Sequence, residues 1–436
     1  MRTGALLGCL SVVLSLTCTT ASAKRPDRPG RFEVGFTSFV ERDASRNNRP
    51  TALSVFYPVD RRAIDDSSRR ASYSRNPVNN PEQILDSTLF EELGIDAAYQ
   101  TPVPSDHAPF PLVLFSPGLG TPWDNYVYIG TRVASHGYVV AIMSHFADTT
   151  YPEEPRVHLR VTMKQRSLDT SFALNQLLAH NDAPGDLLYR TMDPGIIIAA
   201  GHSVGGYTAI SIAGGQGNVC NPVPMNPPPP GSCVGIAPDP RFIAIATLDA
   251  SNFLTTFEDM QNVHVPSLGL GRDPATLLAE NSQYGAAHQA RQHAAFSGAP
   301  GYRVDVINSR HAPSFTNICE ETLVRLAAGQ ITQAAADSTL ASVQCYDPRV
   351  IAPIEAHRLV TEYMIEFLDQ IADVRDDDAG ENASHHLLDP QWSEHHEPNV
   401  AVFLTEEGGL ETGLRNLAQS ATFQWFWNPP DTKRLK

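Results

Sequence analysis

"GIIIAAGHSVGGYTAI", Gly195 to Ile210, is a run of branched apolar residues that stops at Gly-His-Ser-Val-Gly and gives way at once to a second apolar run. The first run reads as a buried strand and the second as a helix. A strand, a tight turn and a helix around G-x-S-x-G predict a nucleophile elbow. The serine of such a turn is strained, and side chains two residues to either side would collide, so Gly201 and Gly205 are expected from crowding alone. Gly206 adds room on the helix side. The elbow would lift Ser203 Oγ off the C-terminal edge of a sheet, where ligands of open α/β sheets bind. A helix N-terminus behind it favours developing negative charge. A lone G-x-S-x-G also arises by chance in ordinary strand–loop–helix connections; here the flanking elements weigh for function.

Outward from the elbow the pattern repeats. "FPLVLFSPG", "YVVAIMSH", "RFIAIATLD", "HVPSLGLG" and "YRVDVINS" read as buried strands. "DNYVYIGTRVASHG", "HLRVTMKQRSLDTSFALNQLLAHN" and "IEAHRLVTEYMIEFLDQI" have helical spacing. "RFEVGFTSFVERD" and "TALSVFYPV" alternate like two antiparallel strands. Strands alternating with helices predict an α/β fold: a mostly parallel sheet of about eight strands, with helices on both faces. Residues 60–107 are polar and rich in Asn, Ser and Pro, and read as an insertion. Residues 214–240 contain "CNPVPMNPPPPGSC", which reads as a surface excursion. One hydrolase-type domain is expected over 24–373, followed by a 374–436 tail whose Trp392, Trp425 and Trp427 imply packing of unassigned place.

The chain has 436 residues, 42% of them hydrophobic, and a formal net charge of −16. That composition excludes a mostly disordered chain, and the charge argues against nucleic acid as a partner. No internal window resembles a transmembrane segment. Residues 1–23 have an early arginine, an apolar stretch and Ala21-Ser22-Ala23, and read as a secretory signal peptide with the mature chain from Lys24. A secreted or periplasmic protein is therefore expected. Loss of Cys9 and Cys18 with the signal would leave Cys220, Cys233, Cys319 and Cys345, an even set suited to two disulfides. Three pairings are open; proximity in sequence favours Cys220–Cys233 and Cys319–Cys345. Their spacing matches no zinc site. Asn382-Ala383-Ser384 is a sequon that matters only where the source glycosylates. His385, His386, His395 and His396 are better read as a solvated tail than as metal ligands.

A serine needs a base, and the base an orienting acid. In this architecture the chain order is serine, acid, histidine. Of His264, His288, His293, His311 and His357, only His311 directly follows a strand, which puts it on a loop at the same edge. His145 also ends a strand there, but precedes the serine. For the acid, Asp249 ends "FIAIATLD" and Asp273 follows "HVPSLGLG"; one of the two is expected to be a loop cap. The oxyanion hole requires two backbone N–H groups. Val204, next after the serine, should supply one, and Leu119, between Gly118 and Gly120, the other.

"FPLVLFSPGLG", "YIGTRVASHGYVVAIMSH", "GHSVGGYTAI", "IATLDASNF" and "RHAPSFTNIC", spanning Phe110 to Cys319, together resemble the platelet-activating-factor acetylhydrolase-like branch of the α/β-hydrolases, near the bacterial dienelactone-hydrolase-like proteins. In that branch the acid follows the family's sixth strand, which implies Asp249; the general α/β-hydrolase plan would instead select Asp273. Many members have His-Gly where this chain has Pro117-Gly118, so a side-chain contribution is lost there. The expected activity is serine esterase chemistry on a small-molecule or lipid ester, with catalytic Ser203, Asp249 and His311 and no metal or organic cofactor. A lactonase or peptidase would use the same parts. A non-catalytic binding protein on this fold would usually lack one of the three side chains.

Overall fold

The computed structural model describes residues 27–146, 148, 159–215, 237–251, 255, 257–279, 288–373, 387–390 and 397–405. The expected signal peptide, the Cys220–Cys233 bond, the sequon, the tail histidines and Trp392, Trp425 and Trp427 lie outside the described residues.

The chain begins with two alternating strands, β1 (Glu33–Asp43) and β2 (Arg49–Val59), which pair antiparallel from Glu33↔Val59 to Asp43↔Arg49. Asp43 caps the turn between them by accepting from Ser45 N at 2.9 Å. Residues 60–107 carry more structure than their polar composition suggests: a small hairpin of β3 (Ser72–Asn76) and β4 (Asn80–Asp86), the helix α1 (Ser87–Glu91) and the short β5 (Tyr99–Gln100). Tyr73, Leu85 and Phe90 from this stretch are buried, so it closes one face of the core instead of standing off it.

The remaining strands are β6 (Phe110–Ser116), β7 (Val139–His145), β8 (Met192–His202), β9 (Phe242–Leu248), β10 (Ser267–Arg272), β11 (Gly301–Val306) and β12 (Val400–Thr405). The sheet order is β12-β11-β10-β9-β8-β6-β7-β2-β1-β5. The run from β7 to β11 is parallel, and β2 and β12 join its two ends antiparallel. The eight strands expected from sequence form the body; β5 and β12 are short additions at the edges. Part of the tail thus has a place, because Val400–Thr405 extends the sheet along β11.

The helices are α2 (Val127–Ser135), α3 (Leu159–Asp182), α4 (Val204–Ile212), α5 (Phe257–Met260), α6 (Pro274–Ala279), α7 (His288–Ala295), α8 (Ile318–Ala327), α9 (Gln333–Ser342) and α10 (Pro353–Asp373). Alternation along the strands divides the core in two. Val113, Phe115, Val140 and Ile142 pack with α2 and α10, while Leu112, Leu114, Ala141 and Met143 pack with α3 and α4. Both faces being covered explains why the central strands read as unbroken apolar runs. Cys319 and Cys345 form a disulfide that ties the start of α8 to the segment between α9 and α10. No helix among the described residues is long and apolar enough to cross a membrane.

Candidate active site

Parallel strands β6 to β11 all end at one edge, and the sequence-predicted side chains gather there. Ser203 sits between β8 and α4 with φ 56° and ψ −119°. This left-handed backbone is costly for a non-glycine residue and must be held by its surroundings. Three backbone bonds hold it: Ser203 N–H donates to Leu248 O at 2.9 Å, and Ser203 O accepts from Ser251 N–H at 2.9 Å and from Tyr207 N–H at 3.1 Å. A Cβ on Gly201 would lie 2.4 Å from the backbone of Gly205, and one on Gly205 would lie 1.8 Å from Ser116 O. The crowding therefore has two partners, the other glycine and the end of β6.

His311 follows β11 on the loop leading to α8. Its Nε2 lies 2.9 Å from Ser203 Oγ, and its Nδ1 lies 2.5 Å from Asp249 Oδ2. A carboxylate oxygen only accepts, so Nδ1 carries the proton and Nε2 is free to accept from the serine hydroxyl. The Asp249 side chain is fully buried, while that of His311 is 39% exposed, which leaves the imidazole open to a bound molecule. Asp249 has φ 39°, and its N–H donates to Leu270 O at 2.6 Å.

Asp273 is placed differently. It accepts from Thr276 N at 3.0 Å, from the Thr276 hydroxyl and from Asn308 N at 3.0 Å, and so caps α6. Its neighbour Arg272 turns away from it and donates Nε–H to Asp249 Oδ2 at 2.7 Å. The cap matches the loop-cap reading of one of the two aspartates; a buried arginine on the acid had no sequence signal.

The other candidate histidines fall elsewhere. His264 is exposed beside Ser297 Oγ at 2.6 Å, His293 is buried, and His357 lies 3.0 Å from Thr316 O. The side chain of His288 is outside the described residues. His145 lies between Ser116 Oγ (2.8 Å) and Asp169 Oδ2 (3.1 Å), fully buried. Burial, then the Arg166 charge, pushes its pKa down. Burial alone would raise Asp169, but bonds from His145 and Arg49 hold it well below the usual carboxylate range.

The loop after β6 is anchored at almost every polar atom. Arg166, wholly buried on α3, donates to Pro117 O at 2.6 Å and Gly118 O at 3.0 Å, and pairs with Asp148. Gly118 N–H donates to Tyr126 Oη at 2.9 Å, and Gly120 N–H to Asp148 Oδ1 at 3.1 Å. Among the described residues, no acceptor is seated on Leu119 N or Val204 N. Arg166, Asp148 and Tyr126 were not singled out from sequence. A buried arginine on an amphipathic helix gives no periodic signal, because it occupies a core position with a charged residue type.

The comparisons with known proteins agree with this arrangement of strands. Residues 17–168 match the family model described as platelet-activating factor acetylhydrolase, isoform II. The chain has an α/β-hydrolase fold, and over those residues it is similar to that family. The matched span includes β6, β7 and the Leu119 loop and ends before Ser203. The chain also resembles the solved structure of a ferulic acid esterase from Streptomyces cinnamoneus, with a TM-score of 0.54 at 20% identity over 80% of this chain and 93% of that one. No curated protein sequence matches it.

Proposed function

We propose that the protein is a secreted serine hydrolase that cleaves carboxylic esters through an acyl-enzyme. The observation that carries this reading is the continuous hydrogen-bonded path Ser203 Oγ–His311 Nε2–His311 Nδ1–Asp249 Oδ2, at 2.9 and 2.5 Å. In this reading His311 takes the hydroxyl proton as Ser203 Oγ attacks the ester carbonyl carbon. Asp249 fixes the tautomer and stabilises the imidazolium. Leu119 and Val204 N–H groups hold the tetrahedral oxyanion, and the positive end of α4 lies behind them. Collapse of the intermediate breaks the C–O bond, and the His311 proton goes to the leaving alkoxide. Water, deprotonated by His311, then attacks the acyl-serine, and the carboxylic acid leaves with Ser203 restored. Secretion is supported by the signal-like residues 1–23 and by the Cys319–Cys345 bond.

The test is the burst with p-nitrophenyl acetate, followed by a chain-length series of p-nitrophenyl esters. One equivalent of nitrophenolate per protein should appear before the steady rate, and Ser203→Ala should show neither phase, with kcat lower by about 10³ or more. Equal turnover by wild type and Ser203→Ala would remove the serine mechanism.

A further inference from the structure

His202, next to the proposed nucleophile, is fully enclosed and bonded on both ring nitrogens. Nδ1 lies 2.9 Å from Tyr126 Oη, and Nε2 lies 3.0 Å from the backbone carbonyl of His311. Tyr126 Oη in turn accepts from Gly118 N–H at 2.9 Å. The direction of this chain is forced. A carbonyl oxygen cannot donate, so His202 Nε2 carries a proton. Burial, then the nearby charge of His311, pushes the pKa of His202 well below the ordinary histidine range. The ring is therefore neutral, Nδ1 is an acceptor, and the Tyr126 hydroxyl must donate to it. That leaves the Tyr126 oxygen to accept from Gly118.

We infer that His202 and Tyr126 are positioning residues for ester hydrolysis, joining the backbone of the oxyanion loop at Gly118 to the backbone of the base at His311. The inference rests on the serine-hydrolase reading above. Its physical content is twofold. Taking Gly118 N–H out of play commits the adjacent Leu119 N–H to the developing oxyanion. Holding the His311 carbonyl fixes the base relative to that same loop, so the two halves of the transition-state cradle move together. Glycine at 118 permits the arrangement, because a Cβ there would meet His202 Nδ1 and Tyr126 Oη at 3.2 Å. The aromatic packing of the pair, Tyr126 on Phe115 at 4.9 Å and His202 on Phe315 at 6.2 Å, would survive loss of the hydrogen bonds.

The test is a double-mutant cycle in the full chain with Tyr126→Phe, His202→Leu and both together, adding His202→Gln as a variant that can still donate to the His311 carbonyl. Rates are taken per active site titrated with an organophosphonate. Each single change should lower kcat about tenfold with KM within about twofold. The double should lose no more than the worse single, and His202→Gln should recover part of the loss. Multiplying losses in the double, or Tyr126→Phe at full kcat with only its Tm lowered, would overturn the inference. Should His202→Leu fail to fold, Tyr126→Phe, which keeps the ring, decides alone by the same kcat criterion. Wild-type protein that takes no phosphonate at Ser203 would instead overturn the serine-hydrolase reading.

Discussion

Replacing Gly205 by alanine puts two expectations in direct opposition. On helix propensity alone, Gly→Ala in the first turn of α4 should stabilise the protein by up to about 1 kcal/mol. The packing says otherwise: the added Cβ would lie 1.8 Å from Ser116 O, 2.6 Å from Ser116 C and 2.7 Å from Pro117 O. Real Cβ contacts essentially never fall below 3.0 Å, so β6 and α4 must part by about 1.2 Å. Ser116 is paired with Gly201 in the sheet and cannot rotate away. The shift therefore falls on the loop carrying Leu119 and on the helix start carrying Val204, the two proposed oxyanion donors. A displacement of about 1 Å at a reacting centre costs about 10²-fold. Gly205→Ala should therefore fold, lose about 10²-fold in kcat on p-nitrophenyl acetate, and keep its KM within a few-fold. Gly185→Ala is the control. Nothing lies within 4 Å of its added Cβ, and only its φ of +92° is unfavourable, so it should lose about 1 kcal/mol of stability and no kcat. A folded Gly205→Ala with wild-type kcat would refute the reasoning.

Asp249→Asn should fall by about 10³ to 10⁴ in kcat, while Asp273→Asn, which weakens only the α6 cap and its bond to Asn308, should lower Tm by an amount worth about 1 kcal/mol and keep most activity; the reverse result would move the acid to the loop after β10. Replacing both Cys319 and Cys345 opens a loop of 26 residues and should cost about 3.5 kcal/mol in the loop-entropy picture, read as a lower Tm with kcat at 25 °C largely kept. Stability should also fall with acidification: burial first of all holds His145, His202, His293 (about 3) and His357 below the ordinary histidine range. The unfolded chain then binds protons that the fold does not, so their stabilising contribution is complete above about pH 6.5 and is lost below it. Burial lifts Glu362 to about 7 and Asp305 to about 6, and His180, despite its partial burial, is raised by its bonds to Asp186 and Glu41; these three oppose the trend without matching the four histidines. Tm measured from pH 7 to pH 5 should decrease; a flat or rising Tm would show that the buried histidines do not set the slope.

The elbow could be read from sequence because every constraint on it is local. Two glycines stand where two backbones touch, and the strand and helix beside them are apolar because both faces of the sheet are covered. The His311 loop was legible for a related reason, since a histidine right after a strand inherits that strand's edge. Asp249 and Asp273 could not be separated by residue type, because both follow a strand at the same edge. What distinguishes them in space is that one loop reaches His311 and the other turns into α6. Arg272, Arg166, Tyr126 and His202 were beyond reach for a different reason: their partners are 8 to 109 positions away in sequence. The elements within residues 60–107 were not legible because their buried Tyr73, Leu85 and Phe90 are scattered among polar residues, and β12 because six residues of a tail carry too short a pattern.

The most direct measurement is the mass of the intact protein after treatment with a p-nitrophenyl organophosphonate, with the modified residue mapped by peptide sequencing. One adduct per chain is expected, on Ser203, with loss of ester hydrolysis in proportion to labelling and no adduct on Ser203→Ala. Full esterase activity in a protein that takes no adduct at Ser203 would contradict the serine mechanism.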